Sequence, residues 1–161
     1  MRDWPEAVER VSSYLREAGA EARIEEFGDG TPTAKAAARA IGCELAQIIK
    51  SIVLDCDGRA VVVLVPGDRR ADSAKIAGAL GCERVRVAGP EQVEAATGFA
   101  PGAVAPFPLP RIDRVLIERT VLARELVWVG AGSPRHMAGL APAELVRLTR
   151  AQSMDAVGDD T

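Results

Sequence analysis

Two aliphatic runs near the middle of the chain predict a β-hairpin. Residues 48–55 and 59–66 are rich in valine, isoleucine and leucine, and a short Asp- and Gly-containing turn separates them. Such runs are typical of paired antiparallel strands. In the first run the even-numbered positions are mainly aliphatic, while the odd-numbered ones look more polar, as at Ser51 and Asp55, so the even face should be buried. Lys50 lies on that even face, which makes it a candidate functional residue.

The rest of the chain predicts helices and strands that do not alternate regularly. Apolar residues three or four apart, with proline near the start or glycine past the end, predict helices over 3–19, 33–42, 72–81, 90–98 and 141–149. Alternating runs predict further strands over 22–27, 83–89, 111–118 and 125–132. We therefore expect an α/β fold: a compact mixed, largely antiparallel sheet, or a small barrel, with peripheral helices.

The length of the chain predicts one domain. A chain of 161 residues buries roughly two-thirds of its unfolded surface, enough for a core without disulfides or metals. We expect residues 1–150 to form this domain and residues 151–161, which are acidic and contain no base, to form a flexible tail. The three scattered cysteines fit a reducing compartment and are expected to be small core residues. With a single histidine in the chain, a metal site is not expected.

Charge and hydropathy limit the classes of partner. The first ten residues are too charged for a secretory signal, and the longest apolar run, residues 60–65, is too short to span a bilayer. We therefore expect a cytoplasmic protein with no membrane partner. The net charge of −3 argues against a protein that coats DNA or an RNA backbone, because such proteins carry a basic excess. A protein that grips only the end of an RNA remains compatible with this charge.

Arginines are concentrated in the middle of the chain, between residues 68 and 124. This segment contains Arg69, Arg70, Arg84, Arg86, Arg111 and Arg114. An anionic partner would be sought there. A solvated, arginine-rich surface is the alternative interpretation.

Common catalytic motifs are missing from the sequence. There is no phosphate-binding loop of the G-x-x-x-x-G-K-[ST] type, and residues 130–135 lack the third glycine of a dinucleotide fingerprint. They also do not form the G-x-S-x-G turn of a serine hydrolase. The spacing gives no reason to pair His136 with a nucleophilic serine, and no pair of catalytic carboxylates is evident.

A lysine and two loops remain as candidate chemistry. Residues 97–109 contain two glycines and three prolines in thirteen residues, so this loop is stiff, yet at Gly102 its backbone N–H groups can approach a ligand. Residues 129–136 form a second glycine loop, which ends at His136. One ammonium group and two such loops suit the binding of a carbonyl and the stabilisation of negative charge on its oxygen. The alternatives are a lysine that reaches solvent from the strand edge and two ordinary connecting loops.

Four stretches, taken in order, resemble the YbaK family, whose members are similar to the editing insertion domain of bacterial prolyl-tRNA synthetase. The stretches are GCELAQIIKSIVL, VLVPGDRRADSAKIAGALG, TGFAPGAVAPFPL and VWVGAGSPRHMAGLAPAELVRLT, and the resemblance covers roughly residues 20–150. It implies a compact mixed α/β barrel-like fold. It also implies a free-standing aminoacyl-tRNA deacylase that uses no metal or organic cofactor.

The resemblance also implies the site residues. Lys50 falls on the family's key lysine, residues 102–106 on its G-x-x-x-P loop, and residues 130–133 on its second glycine loop. The implied catalytic residues are Lys50 and Gly102. The implied substrate-binding residues are Thr31, Thr33, Ser51, Gly98, Pro101, Pro106, Gly130, Gly132, Ser133 and His136. Two departures from the family pattern, residues 106–109 and Glu118, bear on substrate identity.

We therefore expect trans-editing: hydrolysis of mischarged aminoacyl-tRNA, in particular tRNA(Pro) carrying alanine, serine, threonine or cysteine. The partner would be the acceptor end of the tRNA, with a synthetase or elongation factor supplying tRNA identity, and RNA contacts would lie in the segment from Arg69 to Arg124. Two alternatives stay open. One is a non-catalytic module that binds an aminoacyl or nucleotide end, and the other is a small-molecule esterase, for which no Ser/His/Asp set is visible.

Overall fold

The computed structural model describes residues 4–28 and 33–158, and these ranges contain thirteen regular helices and strands. The helices are α1 (Glu6–Glu17), α2 (Ala34–Ile41), α3 (Ser73–Leu80), α4 (Pro90–Thr97) and α5 (Pro142–Thr149). The strands are β1 (Ala22–Glu26), β2 (Ile48–Cys56), β3 (Arg59–Pro66), β4 (Val85–Val87), β5 (Val115–Glu118), β6 (Val127–Ser133), β7 (His136–Leu140) and β8 (Gln152–Met154). Two short 3-10 helices, Leu45–Gln47 and Arg119–Ala123, complete the described chain.

The strands form one mixed sheet in the order β1-β7-β6-β2-β3-β5-β8, with β4 paired to β2 off this path. Neighbours pair antiparallel at β1–β7, β6–β7, β2–β3 and β2–β4, and parallel at β2–β6, β3–β5 and β5–β8. The predicted mixed α/β fold with peripheral helices is confirmed. The predicted hairpin is its centre, since β2 pairs with β3 over nearly its whole length.

Strand β2 has two different neighbours on its other edge. Strand β6 pairs with Ile48 and Ile49, whereas β4 pairs with residues 54–56. The two strands therefore leave the same edge of β2 at points about 16 Å apart, at roughly 3.3 Å per residue. Lys50 lies where β6 and β2 begin to separate.

Both faces of β2 are buried, which corrects the prediction of a more polar odd-numbered face. Ile49 and Val53 on the odd face pack in the main core with α1, α4 and α5. On the even face, Leu54 packs in a second cluster with Ile76 of α3. A sheet covered on both faces does not produce a simple alternation of apolar and polar residues. Asp55 on the odd face is also buried. It accepts hydrogen bonds from Gly58 N and Arg86 Nε, which offset the cost of burying its carboxylate.

The C-terminal segment up to residue 158 belongs to the fold, contrary to the prediction of a flexible tail from residue 151. Strand β8 pairs with β5, and Ala156 and Val157 are buried in the second cluster. Lys75 Nζ also donates to the carbonyl of Val157 at 2.8 Å. Small apolar residues within an acidic stretch give too weak a pattern to reveal this docking.

Cys56 and Cys82 form a disulfide with a Cα–Cα distance of 5.9 Å, so these two are not simply small core thiols. The pairing follows from the topology, because β4 returns along the end of β2 and brings the residues after α3 to the β2–β3 turn. Asp57 in this turn accepts from the N–H groups of Glu83 and Arg84, which ties the same two segments together. Cys43 is free, and burial raises the pKa of its thiol.

No helix within residues 4–28 and 33–158 combines the length and apolar character needed to cross a lipid bilayer.

Candidate functional site

Lys50 and Gly130 are the residues that directly follow the short parallel pairing of β2 with β6. In that pairing Ile48 lies opposite Trp128 and Ile49 opposite Val129, so Lys50 and Gly130 come next on the two strands, where the strands begin to separate. Lys50 is half-buried, and its Nζ donates to the carbonyl of Arg69 at 2.9 Å. The ammonium group therefore sits beside the turn that follows β3.

The proline- and glycine-rich loop reaches this point through Val104. A Cβ atom on Gly130 would lie 2.7 Å from the carbonyl oxygen of Val104, a distance that real Cβ atoms do not tolerate. The two glycine loops identified in the sequence are thus in direct contact. The contact depends on the missing side chain of Gly130, so this glycine has a packing role as well as its implied place in the site.

The start of α2 closes another side of the site. A Cβ on Gly67, in the turn after β3, would lie 3.0 Å from the Cβ of Ala34 and 2.8 Å from the carbonyl of Leu45. Thr33 caps α2, since its Oγ1 accepts from Ala36 N at 3.0 Å. Gly67 therefore allows the capped end of α2 to lie against the turn that contacts Lys50. Thr31 lies outside the described residues.

Ser133 and His136 form a hydrogen-bonded pair at the β6–β7 turn. Ser133 Oγ lies 2.6 Å from His136 Nδ1, and it accepts from Arg135 N at 3.0 Å. In the tautomer with its proton on Nε2, His136 accepts the serine proton at Nδ1. Its Nε2 then faces the carboxylate of Glu26 at 3.7 Å, beyond hydrogen-bonding distance. The imidazole of His136 thus lies between the Ser133 hydroxyl and the Glu26 carboxylate.

His136 is buried, with 1% of its surface exposed. The ring of Trp4 lies edge-on to it, with 5.4 Å between ring centroids. Burial lowers the pKa of His136 below its ordinary value of 6.5, and the opposing effect of Glu26 is smaller. Burial therefore favours the neutral form of the imidazole. A ligand would meet Ser133, which is half-buried, before it met His136.

Gly132 is required by the packing of α1. Its φ is +104°, and a Cβ there would lie 2.9 Å from the carbonyl carbon and oxygen of Ala7. The backbone of β6 therefore passes directly under the first turn of α1. This contact gives Gly132 a structural role beside the substrate-binding role implied by the resemblance.

The tip of the 97–109 loop is a turn in which Ala103 N donates to Ala100 O at 3.0 Å. Pro101 and Gly102 are its central residues, and the φ of +82° at Gly102 matches the glycine position of a type II turn. Both residues are exposed, whereas Pro106 is buried. Val104, rather than Gly102, is thus the residue that packs against β6, a role that the sequence did not reveal.

Gly98 and Ser51 lie in other surroundings. Gly98 ends α4 with a φ of +76°, and its carbonyl accepts from Arg10 Nη2 at 2.7 Å, which joins α4 to α1. Ser51 follows Lys50 along β2, so its side chain points to the opposite face. Its Oγ is buried and has no hydrogen-bond partner within the described ranges.

Glu118 is buried and its carboxylate holds two backbone donors. Thr120 N donates to one oxygen at 2.9 Å and Ala156 N to the other at 2.8 Å. Burial raises the pKa of this carboxyl, but the hydrogen bonds from Thr120 and Ala156 outweigh burial, and the net pKa lies below 4.5. Glu118 therefore anchors the C-terminal segment.

The arginines of the middle segment do not form one patch. Arg86 pairs with Asp55, Arg111 donates to Ala95 O and Arg114 donates to Gln152. Arg69 lies next to Lys50, and its Nη2 donates to Gly158 O at 2.9 Å. Within the segment predicted to contact RNA, Arg69 is the arginine whose backbone carbonyl accepts a hydrogen bond from Lys50.

One group of potential metal ligands occurs among the described residues. Cys56, Asp57 and Cys82 place their ligand atoms within 4.8 Å of one another. The two sulfur atoms are bonded to each other, so they offer no thiolate for a metal. This group lies at the far end of β2 from Lys50.

Comparison with known proteins places these residues in context. Residues 29–148 match the model of a family described as the aminoacyl-tRNA editing domain. The proline–tRNA ligase of Nitratidesulfovibrio vulgaris (strain DP4) is 32% identical over 132 residues, which are 81% of this chain but only 22% of the ligase. The chain thus spans about a fifth of the length of this relative.

Two further proteins match over nearly their whole length. The uncharacterized protein YwhH of Bacillus subtilis (strain 168) is 28% identical over 140 residues, which are 86% of this chain and 88% of YwhH. A solved structure, described as that of a candidate trans-editing enzyme for prolyl tRNA synthetase, is 34% identical with a TM-score of 0.91. That match covers 98% of this chain and 100% of the other.

Proposed function

This chain belongs to the aminoacyl-tRNA editing domain family, and we propose that it acts in trans as a deacylase of mischarged tRNA. The observation that carries the proposal is the position of Lys50 and Gly130 just past the β2–β6 pairing, with the Val104 carbonyl against Gly130, within the segment that matches the family. The candidate trans-editing enzyme that matches this chain end to end supports action without an attached synthetase.

The reaction is hydrolysis of the 3′-terminal ester. A bound water attacks the ester carbonyl, helped by the neighbouring ribose hydroxyl of the substrate. Lys50 orients the acyl end, and the N–H of Gly102 faces the developing oxyanion. Because Gly102 lies at an exposed turn tip, its N–H is accessible to a ligand that docks against the loop. No cofactor takes part in this mechanism.

The acyl group lies between Lys50, the 98–109 loop and the 130–136 loop. A loop stiffened by Pro101, Pro106 and Pro108 resists expansion, so it excludes large side chains. Hydrophobic pockets distinguish single methylene groups by only about 1–3 kcal/mol, which makes steric exclusion the more effective filter. We therefore assign alanine, serine, threonine and cysteine as the amino acids removed, and tRNA(Pro) as the tRNA. The site of action is the cytoplasm, where a synthetase or elongation factor supplies tRNA identity.

The Ser133–His136 pair supports a second candidate, a serine esterase. Its hydroxyl-to-imidazole distance of 2.6 Å fits an activated nucleophile. However, the imidazole is buried, and the carboxylate of Glu26 stands 3.7 Å from Nε2, a longer separation than in a formed triad. Water attack in the editing reaction does not require this pair to act on the ester directly.

A panel of aminoacyl esters tests the two candidates against a non-catalytic binding module. Alanyl-, seryl-, threonyl-, cysteinyl- and prolyl-tRNA(Pro) are incubated with the chain, and loss of the labelled ester is followed together with that of the free amino-acid ethyl esters. Editing predicts turnover of the first four tRNA esters, with prolyl-tRNA(Pro) and the ethyl esters spared. Turnover of the ethyl esters alone would indicate an esterase, and tRNA binding without any turnover would indicate the module.

A further inference from the structure

A small cleft containing two arginines opens next to the turn whose Arg69 carbonyl accepts a hydrogen bond from Lys50. Its volume is about 150 Å³, and it lies between the end of β3, the turn that follows, and the 3-10 helix at residues 119–123. Arg69, Arg124 and Thr120 are among its lining residues. Such a combination of donors suits an oxyanion with several acceptor oxygens.

The lining contains two arginines against one aspartate, and a further carboxylate pairs with Arg124. Asp68 is an exposed lining residue, and Arg124 Nη1 donates to Glu44, an exposed residue outside the lining, at 2.8 Å. Glu118 is occupied by Thr120 N and Ala156 N. At Arg69, Nη2 is the guanidinium nitrogen with a hydrogen-bond partner, Gly158 O, and its buried Nε has none within residues 4–28 and 33–158.

The cleft is coupled to the candidate site through one residue. The carbonyl of Arg69 accepts a hydrogen bond from the Lys50 ammonium at 2.9 Å, and Arg69 is also a lining residue of the cleft. A ligand in the cleft would therefore lie next to the surroundings of Lys50, as an adjacent nucleotide of one strand would require.

We propose that this cleft binds the phosphate that links the last two nucleotides of the tRNA acceptor strand, so that the terminal ester is presented to Lys50. The proposal rests on the proposed editing function. Guanidinium groups bind phosphate oxygens in pairs, and contacts to the backbone set the register of a bound nucleic acid without reading its sequence. Because the chain has a net charge of −3, its affinity for tRNA depends on such a local contact with phosphate.

Arg124→Gln and Arg69→Gln test the cleft, and Arg84→Gln is the control. Arg69→Gln removes the hydrogen bond to Gly158 O and could weaken packing there. Arg124 is exposed, so Arg124→Gln tests the cleft without disturbing the packing. Arg84 is exposed beside the β2–β3 turn, about 23 Å along the strand from Lys50. Steady-state deacylation of mischarged tRNA and of the same amino acid esterified to adenosine, which has no phosphate, is compared over a range of salt concentrations.

For Arg124→Gln and Arg69→Gln, we expect KM for tRNA to rise about tenfold with kcat within twofold, while values for the adenosine ester stay unchanged. The slope of log KM against log salt should fall by about 0.7 for each lost phosphate contact. An unchanged KM for tRNA, an equal rise in Arg84→Gln, or an equal rise for the adenosine ester would each overturn the proposal.

Failure of the editing function is recognised separately. If the wild-type chain hydrolyses neither ester, the binding of a labelled RNA hairpin with a 3′-CCA end is measured by fluorescence anisotropy. Weaker binding by Arg124→Gln but not by Arg84→Gln would then support the phosphate cleft without catalysis. Equal binding by wild-type and both variants would refute it.

Discussion

The Ser133 hydroxyl oxygen lies 2.6 Å from His136 Nδ1, across a turn of only two residues. The bulge between Gly130 and Ser133 in the β6–β7 pairing redirects the serine toward the imidazole. This arrangement allows two roles for Ser133. It could attack a substrate as a nucleophile, or it could hold the wall of the proposed acyl pocket in place.

Ser133→Ala separates these two roles. If water attacks the ester, as we propose, the variant should retain deacylation within about tenfold of wild type, because one neutral hydrogen bond contributes about 1 kcal/mol. A nucleophilic serine would instead cost about 10³-fold or more. Single-turnover deacylation measures the difference, with Ser73→Ala, at an exposed position in α3, as the control. A covalent acyl-enzyme in wild type, detected by mass spectrometry, would contradict water attack.

Lys50→Met should reduce kcat/KM for mischarged tRNA by about 10²-fold or more, because without the group that orients the acyl end the ester carbonyl is misplaced relative to the oxyanion donor. The aliphatic part of the side chain is kept, so the fold should persist. Lys75→Met is a matched control, because Lys75 Nζ also donates to a backbone carbonyl, that of Val157. Far-ultraviolet circular dichroism checks folding, and a Lys50→Met variant with wild-type kcat/KM would remove Lys50 from the mechanism.

Gly130→Ala should displace the 98–109 loop, because the added Cβ would meet the Val104 carbonyl at 2.7 Å. Since the loop forms one wall of the proposed acyl pocket, we expect deacylation to fall and discrimination against prolyl-tRNA(Pro) to weaken. Gly78→Ala in α3 is the control, as a Cβ added there would meet nothing within 4 Å, and it should gain up to about 1 kcal/mol of stability. The measurement is the ratio of the hydrolysis rates of alanyl- and prolyl-tRNA(Pro). The same ratio in Gly130→Ala and wild type would show that the loop does not form a wall of the acyl pocket.

His136 should titrate below pH 6.5, because burial disfavours its charged form. Its Cε1 proton can be followed by NMR without assignment, since the chain contains a single histidine. The unfolded chain takes up a proton at higher pH than the native one, so this contribution to stability is complete above pH 6.5 and declines as the pH falls through the native pKa. A titration midpoint at or above 6.5 would contradict this expectation and show that burial does not outweigh the charge of Glu26.

His136→Ala provides a second measurement at the same residue. If the imidazole sets the acyl pocket through Ser133, the relative rates for alanyl-, seryl-, threonyl- and cysteinyl-tRNA should change. Unchanged ratios would confine His136 to a structural role.

Glu118→Gln should lower the free energy of unfolding by about 1–3 kcal/mol at pH 7, because an ionised acceptor for two buried N–H groups is lost. The native pKa of Glu118 lies below 4.5, so its stabilising contribution is present above pH 4.5 and is lost as the pH falls through the native value. Urea unfolding of wild type and variant at pH 7 and in the acid range measures this difference. A difference that stays constant down to the acid-unfolded state would contradict it.

The sequence predicted the helices and strands whose formation is determined by nearby residues. The β2–β3 hairpin, the α2 helix capped by Thr33 and ended by Gly42, and the helices begun by Pro90 and Pro142 all form as expected. Their signals are periodicity and capping within a few residues. Such signals do not depend on what the element later packs against.

Strand β7 was missed because its pattern is set by distant residues. All five of its residues are buried, and Gly139 lies under the ring of Trp128, whose Cη2 would be 2.9 Å from an added Cβ. A small-residue strand buried on both faces shows neither alternation nor β-branched enrichment. The approach of Val104 to Gly130 could not be predicted for the same reason, since it joins loops that are remote in the chain.

The separation of β6 and β4 along β2 has a mechanical consequence. Each of these strands is fixed to β2 by its own short ladder, and β2 itself is held by β3 along nearly all of its length. A change in the twist of β2 between residues 50 and 53 would thus move β6 relative to β4 while the hydrogen bonds of both strands to β2 stay intact. Widening of the gap beside Lys50 would then break neither pairing, whereas opening a continuous sheet would break hydrogen bonds between its strands.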